Sequence, residues 1–204
     1  MTVFVLATHN THKVDELRRI LGERLGHHQL IGYDGPEPVE DGDTFEANAL
    51  IKARAAAVFT GLPAIADDSG VCVDALGGAP GIHSARYAGT RDDGDNYRLL
   101  LANMQGRKDR AAQFVCAAAL VDVAALDSGP THGGVPFEHT ERGTWPGSVL
   151  EAPAGNGGFG YDPIFRPDGL DVSSAELTPA QKDADSHRGR AFGLLVAVLR
   201  ARYG

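Results

Sequence analysis

The chain has 204 residues, 43% of them hydrophobic, with 19 basic against 27 acidic side chains and a formal net charge of −8. That apolar content can bury a core and excludes global disorder, while the acidic balance argues against a protein that coats nucleic acid. Two cysteines, Cys72 and Cys116, are too few for a disulfide scaffold, and the longest apolar run, at 114–121, has eight residues against about 18 for a membrane span.

The apolar run Val3-Phe4-Val5-Leu6-Ala7 reads as a buried strand and lacks the basic flank of a signal peptide. These features describe a soluble protein of a reducing cytoplasm, with no membrane and no nucleic-acid partner. A polar turn, Thr8-His9-Asn10-Thr11-His12-Lys13, then leads into a helix with Val14, Leu17, Ile20 and Leu21 on one stripe. Free N–H groups and the helix dipole favour an anion at such a turn, with Asn10 and Lys13 placed for phosphate oxygens. It is not a Walker A loop, because the glycines are absent.

A second helix is expected to be capped by Asp43, with Glu46 completing a capping box, and to end at Gly61 and Pro63. Glu40 precedes it, available as a metal ligand, and Lys52 lies within its Ala-rich run. Ala64-Ile65-Ala66 reads as a short strand delivering Asp67-Asp68-Ser69-Gly70 at its end, and Val71-Cys72-Val73 continues extended. Adjacent carboxylates repel and lose hydration unless something pairs with them, and Mg²⁺ is a natural oxygen-liganded partner. One carboxylate of such a pair can hold the metal while the same or the other polarises water.

The Gly- and Pro-rich stretch 77–89 reads as ordered loop, and Tyr97, Leu100, Leu101 and Met104 form the stripe of a third helix. Residues 113–123 read as a long strand. Asp127-Ser128-Gly129-Pro130 reads as a turn and 135–140 as a returning hairpin strand. Residues 143–160 read as Gly-rich loop. Within it, Gly155-Asn156-Gly157-Gly158-Phe159-Gly160 matches the dinucleotide fingerprint letter for letter. It is rejected as one, because Tyr161-Asp162-Pro163 follows rather than a helix. The better reading is a loop that presents Phe159 for stacking. Thr178 and Gln181 frame a short helix with Pro179 at its first position. A last helix is expected from about 187 to 202, with Phe192, Leu195, Val196 and Leu199 facing inward. Ser186 caps it, and His187 and Arg188 at its start form a cationic group with Lys182. Mixed strands and helices in this order give an α/β fold.

Six segments in order resemble the inosine triphosphate pyrophosphatase family. They are Thr8-x-Asn10-x-x-Lys13, Thr44-Phe45-Glu46-x-Asn48-Ala49-x-x-Lys52-Ala53, Ala66-Asp67-Asp68-Ser69-Gly70, Gly78-Ala79-Pro80-Gly81-x-x-Ser84-Ala85-Arg86-Tyr87, Gly157-Gly158-Phe159-Gly160-Tyr161-Asp162-Pro163 and Ser186-His187-Arg188-Gly189. The resemblance covers nearly the whole chain. It implies one domain over 1–204, an elongated two-lobed α/β fold with a mixed, twisted central sheet flanked by helices, a site in the cleft between lobes, and a homodimer. It implies Mg²⁺-dependent hydrolysis of ITP, dITP and XTP to the monophosphate and pyrophosphate. Asp68 then matches the proton acceptor and a magnesium contact, and Glu40 a second metal position. Asn10, Lys13 and Lys52, with the turn Thr8, His9, Thr11 and His12, match the phosphate side, and Ser69 a substrate contact. Phe159, Gly160, Tyr161 and Asp162 match the base-holding loop, and Lys182, His187 and Arg188 the base-recognition side. Trp145 looks like a wall of the pocket, and segment 122–134 lies outside the matching blocks. The residues alone also admit a Maf-like pyrophosphatase for other modified nucleotides, or a nucleotide-binding module without chemistry.

Overall fold

A computed structural model describes residues 1–123 and 136–204. The expected turn at Asp127-Ser128-Gly129-Pro130 and the first residue of the expected hairpin strand lie outside the described residues. Among the described residues, six strands form one sheet: β1 (Val3–Leu6), β2 (Gln29–Gly32), β3 (Ala64–Val73), β4 (Ala111–Asp122), β5 (Phe137–Val149) and β6 (Phe165–Pro167), in the order β2-β1-β3-β4-β5-β6. β1 runs parallel to β2 and β3, and β5 antiparallel to β6, so the sheet is mixed. The α-helices are α1 (Thr11–Leu21), α2 (Phe45–Thr60), α3 (Asp93–Asn103), α4 (Pro179–Asp185) and α5 (His187–Tyr203). The mixed α/β class expected from the sequence is the one found.

The chain forms two compact units, one of residues 1–68, 117–142 and 190–204, the other of 69–116 and 143–189. In the first, β1 is buried along Phe4, Val5 and Leu6, and α1 buries Leu17, Ile20 and Leu21. α2 buries Ala49, Ala53, Ala56 and Ala57. Alanines at this spacing let a helix approach a sheet closely at little side-chain entropy cost. Phe192, Leu195 and Leu199 of α5 are buried as their spacing requires. The second unit has its own core, in which Val71, Val73, Leu100, Met104, Phe114, Trp145, Tyr161, Ile164 and Phe165 pack together.

Several local expectations change. α1 starts at Thr11, inside the expected turn, because the Asn10 side chain accepts from the N–H groups of His12 and Lys13 and caps it there. Thr44, not Asp43, caps α2, its hydroxyl accepting from Ala47 N–H, and Glu46 pairs with Arg142 instead of closing a box. β3 does not end before the two acids but runs on through them. Residues 143–149 are strand, not loop. Gly147 allows this, since a Cβ there would strike the backbone of Arg166 and the ring of Phe165 on β6.

Candidate functional site

Asp67 and Asp68 are consecutive on β3, 1% and 8% exposed. Successive strand residues face opposite ways, and the two carboxylates take different lysines. Lys13 of α1 lies 3.0 Å from Asp67, and Lys52 of α2 lies 3.3 Å from Asp68 and 2.9 Å from Glu40. Asn48, one helical turn before Lys52, donates from Nδ2 to Asp68 at 3.3 Å, while its oxygen accepts from Gly42 N–H at 2.9 Å. The same face of α2 therefore holds Asp68 with an amide and an ammonium. Asn48 lies in one of the segments that resemble the family, and the resemblance implies no role for it. Its trace in the sequence is a poor helix former inside an alanine run, placed one turn from a lysine.

The group contains three carboxylates and two ammoniums, one negative charge in excess. Burial pushes the Asp68 carboxyl above the ordinary carboxylate range; Lys52 and Lys13 pull it back, and Glu40 and Asp67 push it further up. Burial alone would lower Lys52, but Asp68, Asp67 and Glu40 outweigh it and hold the ammonium above its ordinary value. Near this group in the sequence, the exposed start of α1 carries Asn10 as cap and Thr8, whose hydroxyl accepts from Asn10 N–H at 3.2 Å. The rings of His9 and Tyr33 are 5.5 Å apart, and Thr11 and His12 are exposed in the first turn.

The second unit holds the other residues expected at the site. Arg188, 2% exposed, donates to the Ser69 hydroxyl at 2.8 Å. Its guanidinium lies 5.6 Å from the centre of the Phe159 ring, and Lys182 Nζ lies 5.0 Å from it. Asp162 is buried and fully engaged: it accepts from Lys182 Nζ at 2.5 Å, Phe159 N–H at 2.9 Å and Ser174 Oγ at 2.9 Å. Gly160 N–H donates to Asp93 of α3 at 2.6 Å. The Tyr161 hydroxyl donates to the Ser84 carbonyl, and its burial pushes the phenol pKa up. Asp162 and Tyr161 thus serve inside the loop as anchors. The His187 ring is stacked on Phe114 at 4.7 Å and lies beside Trp145, which is itself core. Ser186 accepts from Gly189 N–H, as a cap of α5 does.

Known proteins resemble this chain over nearly its whole length. A family model described as the Ham1 family matches residues 4–198. A protein of Leifsonia xyli subsp. xyli named dITP/XTP pyrophosphatase is 54% identical, covering 98% of this chain and 97% of its own length. One of the same name from Streptomyces coelicolor is 50% identical over the whole of both chains. Among solved structures, a HAM1 protein from Coxiella burnetii superposes with a TM-score of 0.84 at 39% identity, covering 98% of this chain and 100% of that one. With the fold, the ordered blocks and the full-length identity in agreement, this chain belongs to the Ham1 family.

Proposed function

We propose that the protein hydrolyses nonstandard purine nucleoside triphosphates, dITP, ITP and XTP, to the monophosphate and pyrophosphate. The observation that carries this is Asp68, a buried carboxylate with a raised pKa held between Asn48 and Lys52. Relatives of about half identity named dITP/XTP pyrophosphatase support the substrate class.

A carboxylate above its ordinary range is the stronger base for removing a proton from water. Asp68 accepts that proton as the water oxygen bonds to the α-phosphorus and the bond to the bridging oxygen of pyrophosphate breaks. In this reading Lys13 and Lys52 neutralise charge on the departing phosphates. A magnesium ion fits the donor chemistry: the carboxylates outnumber the ammoniums, and Asp68 and Glu40 share Lys52 and would hold it. Among the described residues no group of three or more His, Cys, Asp or Glu could hold a metal ion by itself, so substrate phosphates would have to supply further oxygen ligands. When bound, the ion adds positive charge against the leaving pyrophosphate.

On the base side, Arg188 and Lys182 are donors, suited to the C6 oxygen of hypoxanthine and xanthine and mismatched to the amino group of adenine. Phe159 supplies a flat ring for stacking. Residues 1–204 act as one domain, a reading supported by β3, β4 and β5 each running from one unit into the other. A cytoplasmic location is supported by the cysteine count, two, too few for the disulfide framework of a secreted scaffold. No helix of the described residues is long and apolar enough to cross a membrane. The homodimer rests on the family resemblance and is checked by light scattering.

The test is pyrophosphate release from purified nucleotides at matched Mg²⁺. dITP, ITP and XTP should be preferred over ATP, GTP and pyrimidine nucleotides, and a pyrimidine preference would overturn the reading. Asp68→Asn should abolish turnover while the protein stays folded; near-normal activity would remove Asp68 from its assigned role.

A further inference from the structure

The loop 155–160 carries positive-φ glycines at 155, 158 and 160. A chain so rich in glycine orders only where its N–H groups are caught. Two consecutive ones are caught by carboxylates: Phe159 N–H by Asp162, within the loop's own continuation, and Gly160 N–H by Asp93, 67 residues away.

The three acids at the start of α3 divide their work. Asp92 is the N-cap and accepts from Asp95 N–H at 2.8 Å. Asp95 takes Thr90 and Arg98, at 3.0 Å and 2.8 Å. Asp93 is the acid of the three that reaches out of the helix, to Gly160. Its bond, 2.6 Å from nitrogen to oxygen, is an exposed one from an amide to a carboxylate. Beside the held peptide lies the Phe159 ring, with Lys182 and Arg188 against it.

We propose that Asp93 is a positioning residue for base recognition: its carboxylate fixes the Gly160 amide and so sets the angle at which Phe159 meets the purine. This rests on the assignment of the loop to the base given under Proposed function. Asp93 touches neither the reacting phosphorus nor Asp68 in this account, so its loss removes binding of substrate and transition state alike. The effect falls on KM more than on kcat.

The test compares Asp93→Ala and Asp93→Asn with the wild type in dITP kinetics and in amide hydrogen exchange across 157–163. Asp93→Ala should raise KM about tenfold, as expected for one lost charge-assisted hydrogen bond, with kcat within about threefold. Asp93→Asn keeps an oxygen acceptor and should recover most of the KM. Exchange at Gly160 should quicken in Asp93→Ala and stay slow in Asp93→Asn. An unchanged KM in Asp93→Ala, equal damage in both variants, or unaltered exchange at Gly160 overturns the proposal. Should the alanine variant fold poorly, Asp93→Leu, which keeps side-chain bulk but removes the acceptor, takes its place under the same exchange and KM criteria. A wild type that turns over no purine triphosphate sinks the functional reading instead, and the exchange result still reports on the clamp.

Discussion

Asn48 of α2 bridges the segment before that helix and strand β3: one end of its amide receives Gly42 N–H and the other donates to Asp68. Asparagine is the residue that can do both, having a donor and an acceptor on one planar group. Asn48→Ala should leave both partners short of a hydrogen bond at a 2%-exposed position, costing about 1–3 kcal/mol in denaturant unfolding. Turnover should fall as well, by about tenfold or more, because Asp68 loses one of the groups that orient it. Asn48→Asp should be worse for activity than Asn48→Ala, since it sets a second carboxylate against Asp68. An alanine variant with full activity and stability would show that the bridge does nothing.

The rate should depend on pH through Asp68. Its pKa lies above the ordinary carboxylate range, so kcat/KM should fall on acidification along a limb displaced upward from that of a free carboxylate. Lys52→Met removes the largest opposing positive charge, and the limb should move to higher pH, with kcat down about a hundredfold from the lost phosphate contact. Glu40→Gln removes a like charge and should move the limb down. For stability the sign is opposite to that of a paired surface acid. A carboxyl whose folded pKa is raised has its ionised form disfavoured by folding, so stability is lost as pH rises through that window. Asp68→Asn should therefore melt no lower than the wild type at neutral pH. Profiles in which both charge variants shift the limb the same way would contradict this electrostatic account.

Gly158 and Gly160 separate two causes of glycine dependence in the base loop. Both have positive φ. A Cβ on Gly158 would collide with the Asp162 carboxylate, whereas one on Gly160 meets nothing within 4 Å. Gly160→Ala should cost only the backbone strain, about 1–3 kcal/mol. Gly158→Ala should add a displaced Asp162, and with it a disturbed Lys182 and Phe159, so its KM should exceed that of Gly160→Ala several-fold. Equal kinetics for the two would mean that Asp162 does not hold the loop in place.

Local chemistry was legible in the sequence. The Thr178–Gln181 capping box, the buried stripe of α5 and the buried strand at Val3 depend on neighbours within a turn or two, and all appear. The α2 cap moved by one residue because Asp43 and Thr44 are both good caps, and only the path of the backbone chooses between them. The acids of β3 read as a strand end because carboxylates disfavour strand interiors. What keeps them inside is Lys13 and Lys52, brought from distant parts of the chain. The blocks named the family correctly, but they could not show that Asp162 faces Lys182 and two loop groups, or that the His187 ring stacks in an aromatic core. Nothing in the sequence pointed to Asp93, one acid among several near the start of α3.

Three of the four lysines, at 13, 52 and 182, are each ion-paired, with side chains 15%, 12% and 9% exposed, while Lys108 is exposed. Amine-reactive reagents attack the unprotonated amine, so a paired and shielded ammonium is a poor target. Dyes, crosslinkers and surface-coupling chemistry at limiting dose thus find Lys108 before the other three lysines. The placing of lysines in this chain gives it a ready handle for immobilisation at a residue that is none of those assigned to the nucleotide.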